Sequence, residues 1–216
     1  MRATLQVESS AYIRRIDHLK IPRPNFNYGE FEQWRKSQTA NSRFAVEIGC
    51  GVGLHPIRWA QAHPEDHILA IERTKTKFSG FASRLTNHPH LKNIFPAHAD
   101  AALLLPHILP RCSVDSYYIL YPNPYPKARH KNLRFGHSSL TLFLADTLKP
   151  NGTLVFATNI ETYAEELLKY VPSRSHLEVV FTKTLSPLDL PRTHFERKYL
   201  ARGEPCYSLV FSPRGA

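Results

Sequence analysis

A glycine-rich turn preceded by a carboxylate begins at Glu47 in this chain of 216 residues. The segment EIGCGVG follows a short apolar run, and Gly49, Gly51 and Gly53 allow a tight turn and a close approach of the backbone to a ligand. The carboxylate of Glu47 would repel a pyrophosphate, whereas it suits an ammonium or sulfonium group. The turn therefore predicts a nucleotide-type cofactor that carries positive charge.

Two further acids follow the next two predicted strands. Glu72 closes a strand about 20 residues after the glycines, where an acidic side chain accepts hydrogen bonds from both ribose hydroxyls. Asp100, followed by Ala101, closes the third strand and suits the exocyclic amine of adenine, although alone it is typical of a helix cap. The glycines are spaced G-x-G-x-G, not G-x-G-x-x-G. We therefore expect S-adenosylmethionine (SAM) as the cofactor rather than NAD.

A proline-rich basic loop, YPNPYPKARHKNLR, occupies residues 121–134 after the fourth predicted strand. The carboxyl end of a central strand is where ligands bind in sheets of this kind, and the prolines hold the loop rigid. Asn123 and Tyr125 suit hydrogen bonding to a base and stacking on it. The loop then provides cations that can neutralise phosphates: Lys127, Arg129, His130, Lys131 and Arg134.

The charge of the whole chain points to the same kind of partner. With 28 Lys and Arg against 18 Asp and Glu, the formal net charge is +10. Cations cluster beside the predicted ligand sites, and a structured polyanion such as RNA suits that distribution. Besides those of the loop, they are Arg73, Lys75, Lys77, Arg192, Arg197, Lys198 and Arg202.

Cysteine, histidine and hydropathy patterns exclude several classes of protein. The three cysteines form no CxxC pair, and the histidines form no HExxH motif, so we expect reduced thiols and no metal site. The chain contains no apolar run long enough for a membrane helix and no signal-peptide core. We therefore expect a cytoplasmic protein that does not associate with a membrane.

Short apolar runs alternate with amphipathic segments from Phe44 onward, which predicts an α/β domain over 43–216 behind a basic arm at 1–42. Two strands in succession at the end predict an antiparallel finish. Pro96 marks an edge strand, Asn151-Gly152 a turn, and Asn159 a helix cap. The predicted strands are 44–48, 67–72, 93–100, 116–122, 153–159, 177–185 and 206–211, and the predicted helices 54–62, 75–87, 138–148 and 161–171.

The series EIGCGVG, AIER, HADA, YPNPYPKARHKNLR, ATN-x-x-x-YAEE and THFERKYLARGEPCYSLVF, within about residues 44–212, resembles the bacterial tRNA guanine-N7 methyltransferases. The resemblance implies a Rossmann-like SAM-dependent methyltransferase fold. Its sheet is seven-stranded and mostly parallel with an antiparallel last strand, and helices cover both faces. It also implies methylation of a guanine in the variable loop of tRNA.

Matching the family's motifs position by position implies the following roles. Asn123 is the candidate catalytic residue. The implied cofactor-binding residues are Glu47, Gly49, Gly51, Gly53, Glu72, Asp100, Ala101 and Asn123. The implied substrate-binding residues are Lys127, Arg129, Lys131, Arg134, Asn159, Thr193, Phe195 and Glu196.

Two positions depart from the family's usual pattern. Pro122-Asn123-Pro124-Tyr125 stands where the family has Pro-Asp-Pro-Trp, and Thr158-Asn159 where it has Thr-Asp. A carboxylate accepts from the N1–H and N2 amine of guanine, whereas an amide offers one acceptor and one donor. Two alternatives therefore stay open: a paralogue that methylates another base or a nucleobase-like small molecule, and an RNA-binding protein without catalysis.

Overall fold

The computed structural model describes residues 20–39 and 41–215. Its strands are β1 (Phe44–Ile48), β2 (His67–Glu72), β3 (Ile94–His98), β4 (Val114–Leu120), β5 (Leu148–Thr158), β6 (Leu177–Leu185) and β7 (Cys206–Pro213). Its helices are α1 (Tyr28–Lys36), α2 (Leu54–Ala62), α3 (Lys75–Leu85), α4 (Ala101–Ile108), α5 (Ser139–Thr147), α6 (Glu161–Arg174) and α7 (His194–Leu200), with a 3₁₀ helix at Ala128–Leu133.

The strands form one seven-stranded sheet in the order β3-β2-β1-β4-β5-β7-β6. The first five strands pair in parallel, and β7 lies antiparallel between β5 and β6. Pro96 lies in β3 at one edge, where the missing backbone N–H costs no ladder hydrogen bond. The predicted sheet, its antiparallel last strand and the edge position of Pro96 are confirmed.

Alternate side chains of the central strands are buried on opposite faces of the sheet, as pleating requires. On one face, Val46 and Leu69 join a large apolar cluster with side chains of α1, α4, α5 and α6. On the other face, Ala45 and Ile68 pack with Phe81 of α3 and with α2. Helices therefore cover both faces, as predicted. The carboxyl ends of the five parallel strands lie at the same end of the sheet.

Two local predictions are wrong. β5 begins at Leu148 and continues through Asn151-Gly152, where a turn was expected. Between Leu148 and Thr153 it pairs with only the short stretch of β4 from Val114 to Ser116, so the extra residues are absorbed as an irregularity in the ladder. Asn159 is not a helix cap. The N-cap of α6 is Ile160, whose backbone N–H donates to Thr158 Oγ1 at 3.2 Å.

Helix α1 was not predicted, because its segment shows little hydrophobic periodicity. It packs on the sheet through Phe31, which is buried, and Trp34, whose ring centroid lies 5.3 Å from that of Phe95. Nearly half of the predicted basic arm, residues 1–19 and 40, lies outside the described residues, and the boundary after 42 stays a prediction. Among the helices described, none is both long and apolar enough to cross a membrane.

Candidate active site

Two adjoining cavities open where β1, β2 and β4 end. The first, of about 590 Å³, is lined by the glycine turn, the loop after β4 and the start of α7. The second, of about 350 Å³, is lined by Glu72, Asp100 and part of the same loop. Both cavities are lined by Gly49, Lys77, Leu120, Tyr121, Pro122 and Asn123. Each volume is in the range of small-molecule sites.

All three glycines of the turn adopt left-handed backbone conformations, with φ values of +80°, +61° and +80°. A Cβ at Gly53 would lie 2.0 Å from the Phe81 ring, so only glycine fits between the turn and α3. At Gly49 and Gly51 a Cβ would meet nothing within 4 Å, which leaves the turn open toward the cavities. The turn geometry predicted from the glycine spacing is therefore present.

The carboxylate of Glu72, at the end of β2, binds backbone N–H groups of the turn after β1 and of the segment after β2. Its side chain is buried, Oε2 accepts from Gly51 N at 2.9 Å, and Oε1 accepts from Thr74 N at 2.6 Å. A buried carboxylate is stable when hydrogen-bond donors surround it. These contacts fix the carboxylate on the wall of the second cavity, and its contact with a ribose stays a prediction.

Glu47 presents a second buried carboxylate, at 2% exposure, on the wall of the first cavity. Its Oε2 lies 2.8 Å from Nδ1 of His55 in α2. Burial raises the pKa of the neighbouring Cys50 thiol, and the charges of Glu47 and Glu72 raise it further. Cys50 therefore stays a protonated thiol, which argues against a role as a nucleophile.

Asp100 is the N-cap of α4. Its Oδ1 accepts from Ala102 N at 2.9 Å, and its Oδ2 pairs with Arg73 Nη1 at 3.3 Å. Both Asp100 and Ala101 also line the second cavity. The capping interpretation is thus confirmed, and the carboxylate remains beside the space where the cofactor is expected.

The loop after β4 is held in an unusual backbone conformation. Tyr121 and Tyr125 have φ values of +56° and +45°, a region that residues other than glycine rarely adopt. Between them, Asn123 Oδ1 accepts from Tyr125 N at 3.1 Å, and the exposed amide lines both cavities. Backbone strain of this kind persists only where surrounding contacts enforce it.

Glu196 of α7 supplies those contacts from beneath the loop. Its carboxylate has no exposed surface, accepts from Tyr121 Oη at 2.8 Å, and pairs with Arg192 Nη2 at 2.6 Å. Burial acts to raise the pKa of Glu196, but the Arg192 guanidinium outweighs it and holds that pKa below its usual value. The predicted substrate contact of Glu196 is therefore corrected: the side chain holds Tyr121 and lines neither cavity.

Arg134 also turns inward. Its Nε donates to Tyr125 O at 3.0 Å, and its Nη1 pairs with Glu166 Oε2 of α6 at 2.6 Å. The predicted phosphate contact of Arg134 is corrected to a role in holding the loop, because both ends of its guanidinium are engaged. The other predicted phosphate ligands of this loop point to solvent: Lys127, Arg129 and Lys131.

The opposite wall of the first cavity is the start of α7. Thr193 caps this helix by accepting from Glu196 N at 3.0 Å, and Phe195 is 48% exposed beside the ring of Tyr199. Asn159, after β5, donates to Glu204 Oε2 at 3.4 Å. Thr193, Phe195 and Asn159 all line the cavity with Asn123, so the structure brings these predicted residues together.

Sequence reasoning missed His55 and assigned Tyr121 no role. It grouped Arg192 with the cations that suit RNA, whereas Arg192 pairs with the buried Glu196. His55 lies in the helix after the glycine turn, and Tyr121 begins the loop motif. Neither segment indicates that His55 contacts Glu47 or that Tyr121 contacts Glu196. Within the described part of the chain, no group of three or more His, Cys, Asp or Glu residues is placed to hold a metal ion.

Comparison with known proteins shows which family this chain resembles. A family model described as "Putative methyltransferase" matches residues 41–209. The tRNA (guanine-N(7)-)-methyltransferase of Nitrosospira multiformis is 33% identical over 167 residues, which are 77% of this chain and 72% of that protein. The chain belongs to the tRNA (guanine-N7)-methyltransferase family. The enzyme of the same name from Nitrosomonas eutropha is 33% identical over 168 residues, 77% of this chain and 75% of the other.

Solved structures support the fold. The crystal structure of the 16S rRNA methyltransferase KamB has a TM-score of 0.63 at 18% identity and covers 88% of this chain and 95% of its own. A 16S rRNA (adenine(1408)-N(1))-methyltransferase from Catenulisporales acidiphilia, solved with SAM, has a TM-score of 0.63 at 18% identity, with 84% and 90% covered. Together with family membership, the fold identifies this chain as a SAM-dependent methyltransferase.

Proposed function

We propose that this enzyme methylates N7 of a guanine in the variable loop of tRNA. The observation that carries the proposal is the position of Asn123, which lines both cavities. A cofactor that occupies the second cavity and extends into the first, and a base held in the first cavity, meet at this residue. Membership of the tRNA (guanine-N7)-methyltransferase family supports the choice of base and RNA.

The residues of both cavities fit SAM. Glu47 offers a buried carboxylate for the ammonium and sulfonium groups, and Glu72 faces the place of the ribose. Gly49 and Gly51 leave open space where a side chain would obstruct it. When bound, SAM supplies the methyl group that is transferred. Asp100 and Ala101 bound the end of the second cavity that suits the adenine.

Asn123 reads guanine as a donor in this proposal. The Tyr125 N–H occupies its Oδ1, which fixes the orientation of the amide and leaves Nδ2 to face the base. Guanine presents O6 and N7 as neighbouring acceptors, whereas adenine has a donor amine in place of O6. The amide that replaces the family's carboxylate therefore selects guanine through O6 instead of through N1–H and N2.

The reaction needs positioning more than proton transfer. Guanine N7 carries a lone pair and no proton, so its attack on a methyl carbon requires no general base. Asn159, Thr193 and Phe195 line the cavity and fix the base for in-line attack. The exposed Lys127, Arg129 and Lys131 attract the phosphate backbone beside it. An RNA substrate also agrees with the predicted cytoplasmic location.

Labelled SAM and unmodified tRNA, followed by mass spectrometry of the nucleosides, test the proposal. We expect label in 7-methylguanosine. Label in adenosine or in a small molecule would instead support a paralogue with another acceptor. Retention of tRNA with no label transferred would support an RNA-binding protein that has kept the fold without catalysis.

A further inference from the structure

Three arginines from three different elements converge on His194 at the rim of the first cavity. Nη1 of Arg84, in α3, lies 3.3 Å from Nε2 of His194. Nη2 of Arg197, in α7, lies 3.1 Å from Nδ1 of the same ring. Arg58, in α2, donates from Nη1 to Pro191 O at 3.0 Å, three residues before His194. We call Arg58, Arg84 and Arg197 the arginine cluster.

The two arginine contacts of the His194 ring cannot both be hydrogen bonds. Burial lowers the pKa of His194, and the charges of Arg84, Arg197 and Arg58 lower it further. A histidine ring has at most one accepting nitrogen, whereas both nitrogens of His194 face guanidinium groups, which can only donate. One of these contacts therefore sets a donor against a donor.

Nearby carboxylates do not neutralise this charge. Other arginines around the cavities each pair with an acid: Arg73 with Asp100, Arg134 with Glu166 and Arg192 with Glu196. Among residues 20–39 and 41–215, none of the ion pairs involves a member of the arginine cluster. Arg58 and Arg197 are exposed, so an anion can reach them from solvent.

The cluster adjoins the wall of the cavity that lies across from the proline-rich loop. His194 and Phe195 line the first cavity, and Lys77 Nζ lies 6.0 Å from the centre of the Phe195 ring. A base that contacts Phe195 would therefore have its own backbone near His194. This location is separate from Lys127, Arg129 and Lys131, which lie on the loop after β4.

We infer that Arg58, Arg84 and Arg197 bind a phosphodiester of the substrate RNA next to the base that enters the first cavity. Guanidinium groups match phosphate oxygens with paired N–H donors, and such an anion would supply the acceptors that the cluster lacks. The inference rests on the proposed function, because it assumes an RNA substrate. With the proline-rich loop, it gives the RNA one anchor on each side of the methylated base.

The carboxylate of SAM is the other anion within reach of this cavity, and the experiment separates the two sources. Arg84→Gln and Arg197→Gln each remove one guanidinium. Arg111→Gln is the matched control, because it removes an exposed guanidinium just before β4, at the opposite end of that strand from the cavities. Each variant is measured for SAM affinity by calorimetry and for tRNA affinity across a series of salt concentrations.

We expect Arg84→Gln and Arg197→Gln to weaken tRNA binding about tenfold and to reduce the slope of log affinity against log salt by about 1, with SAM affinity unchanged. Arg84→Lys, which keeps the charge, should recover most of the affinity. Arg111→Gln should match the wild type.

Wild-type tRNA affinity and salt slope in both variants would overturn the inference, while methylation of tRNA by the same proteins would leave the proposed function standing. A loss of SAM affinity would also overturn it and assign the cluster to the cofactor's carboxylate. Failure of the wild-type enzyme to bind or methylate tRNA would remove the proposed function and this inference together.

Discussion

The two halves of the active site are held together in different ways. On the cofactor side, backbone groups and nearby residues fix the carboxylates: Glu72 binds the N–H groups of Gly51 and Thr74, and Asp100 caps its own helix. On the substrate side, side chains distant in sequence fix the loop. Tyr121 is bound by Glu196, 75 residues later. The comparison teaches that contacts spanning at most 21 residues fix the carboxylates of the cofactor side, whereas the substrate side needs the last part of the chain.

This difference predicts that the two sides can be damaged separately. Substitutions at the glycine turn or its acids should weaken SAM binding first. Substitutions in the contacts beneath the loop should leave SAM affinity nearly intact and slow methyl transfer.

Glu72→Ala should have the largest effect. It removes the proposed acceptor for both ribose hydroxyls and leaves the N–H groups of Gly51 and Thr74 without their partner. Hydrogen bonds to a charged group contribute about 1.5–3 kcal/mol each, so SAM affinity should fall roughly a thousandfold. Calorimetric titration with SAM measures this. Glu65→Ala, at an exposed position before β2, is the control, and equal SAM affinity in the two variants would refute the cofactor assignment.

Gly53→Ala and Gly51→Ala make a matched pair within one turn. Both residues have positive φ, but only at Gly53 would the new methyl group meet the Phe81 ring. Left-handed strain costs about 1 kcal/mol, and overpacking adds about 3 kcal/mol more. We therefore expect the free energy of unfolding to fall by about 4 kcal/mol in Gly53→Ala and about 1 kcal/mol in Gly51→Ala. Denaturant melts with similar losses in both would contradict this packing.

Glu196→Gln tests the substrate side. Neutralising this buried carboxylate leaves Arg192 without its counter-charge and weakens the hold on Tyr121. The free energy of unfolding should fall by about 3 kcal/mol, the methyl-transfer rate should drop at least tenfold, and SAM affinity should change less than threefold. Glu178→Gln, on the exposed face of β6, is the control. A SAM affinity that falls as far as the rate would show that the two sides are not separable.

Glu196 also predicts how the free energy of unfolding depends on pH. The pKa of Glu196 is lower in the folded protein than its usual value near 4.5, because Arg192 stabilises the carboxylate. Its stabilising effect is therefore complete above about pH 4.5 and is lost as the pH falls below that value. The gap in unfolding free energy between wild type and Glu196→Gln should narrow over that acid range. A constant gap would contradict the ion pair.

Inosine at the methylated position should have the smallest effect. Inosine keeps N7 and O6 and lacks only the N2 amine of guanine, and Asn123 is proposed to read O6. The single-turnover rate on an inosine-containing tRNA should stay within about threefold of the rate on the guanosine form. A loss of thirtyfold or more would show that the enzyme reads the N2 amine.

Sequence reasoning placed residues correctly where their position depends on neighbours in the chain. The glycine turn follows from local spacing, and strand periodicity placed Glu72 and Asp100 beside the same cavity. Their contacts with a cofactor stay predictions. Sequence reasoning failed for Glu196 and Arg134, because a conspicuous charged residue in a motif looks the same whether it faces a ligand or a buried partner. Only folding brings Arg192 and Tyr121 to Glu196, and no spacing in the sequence shows that contact.

Methyl transfer to a tRNA that carries 7-deazaguanosine at the target position tests the central claim most directly. This substitution replaces N7 with carbon and leaves O6 and the N1 and N2 groups in place. The account predicts wild-type binding of the altered tRNA and no transfer of labelled methyl to it, beside full transfer to the unaltered transcript. Equal labelling of the two transcripts would contradict the assignment of N7 as the methyl acceptor.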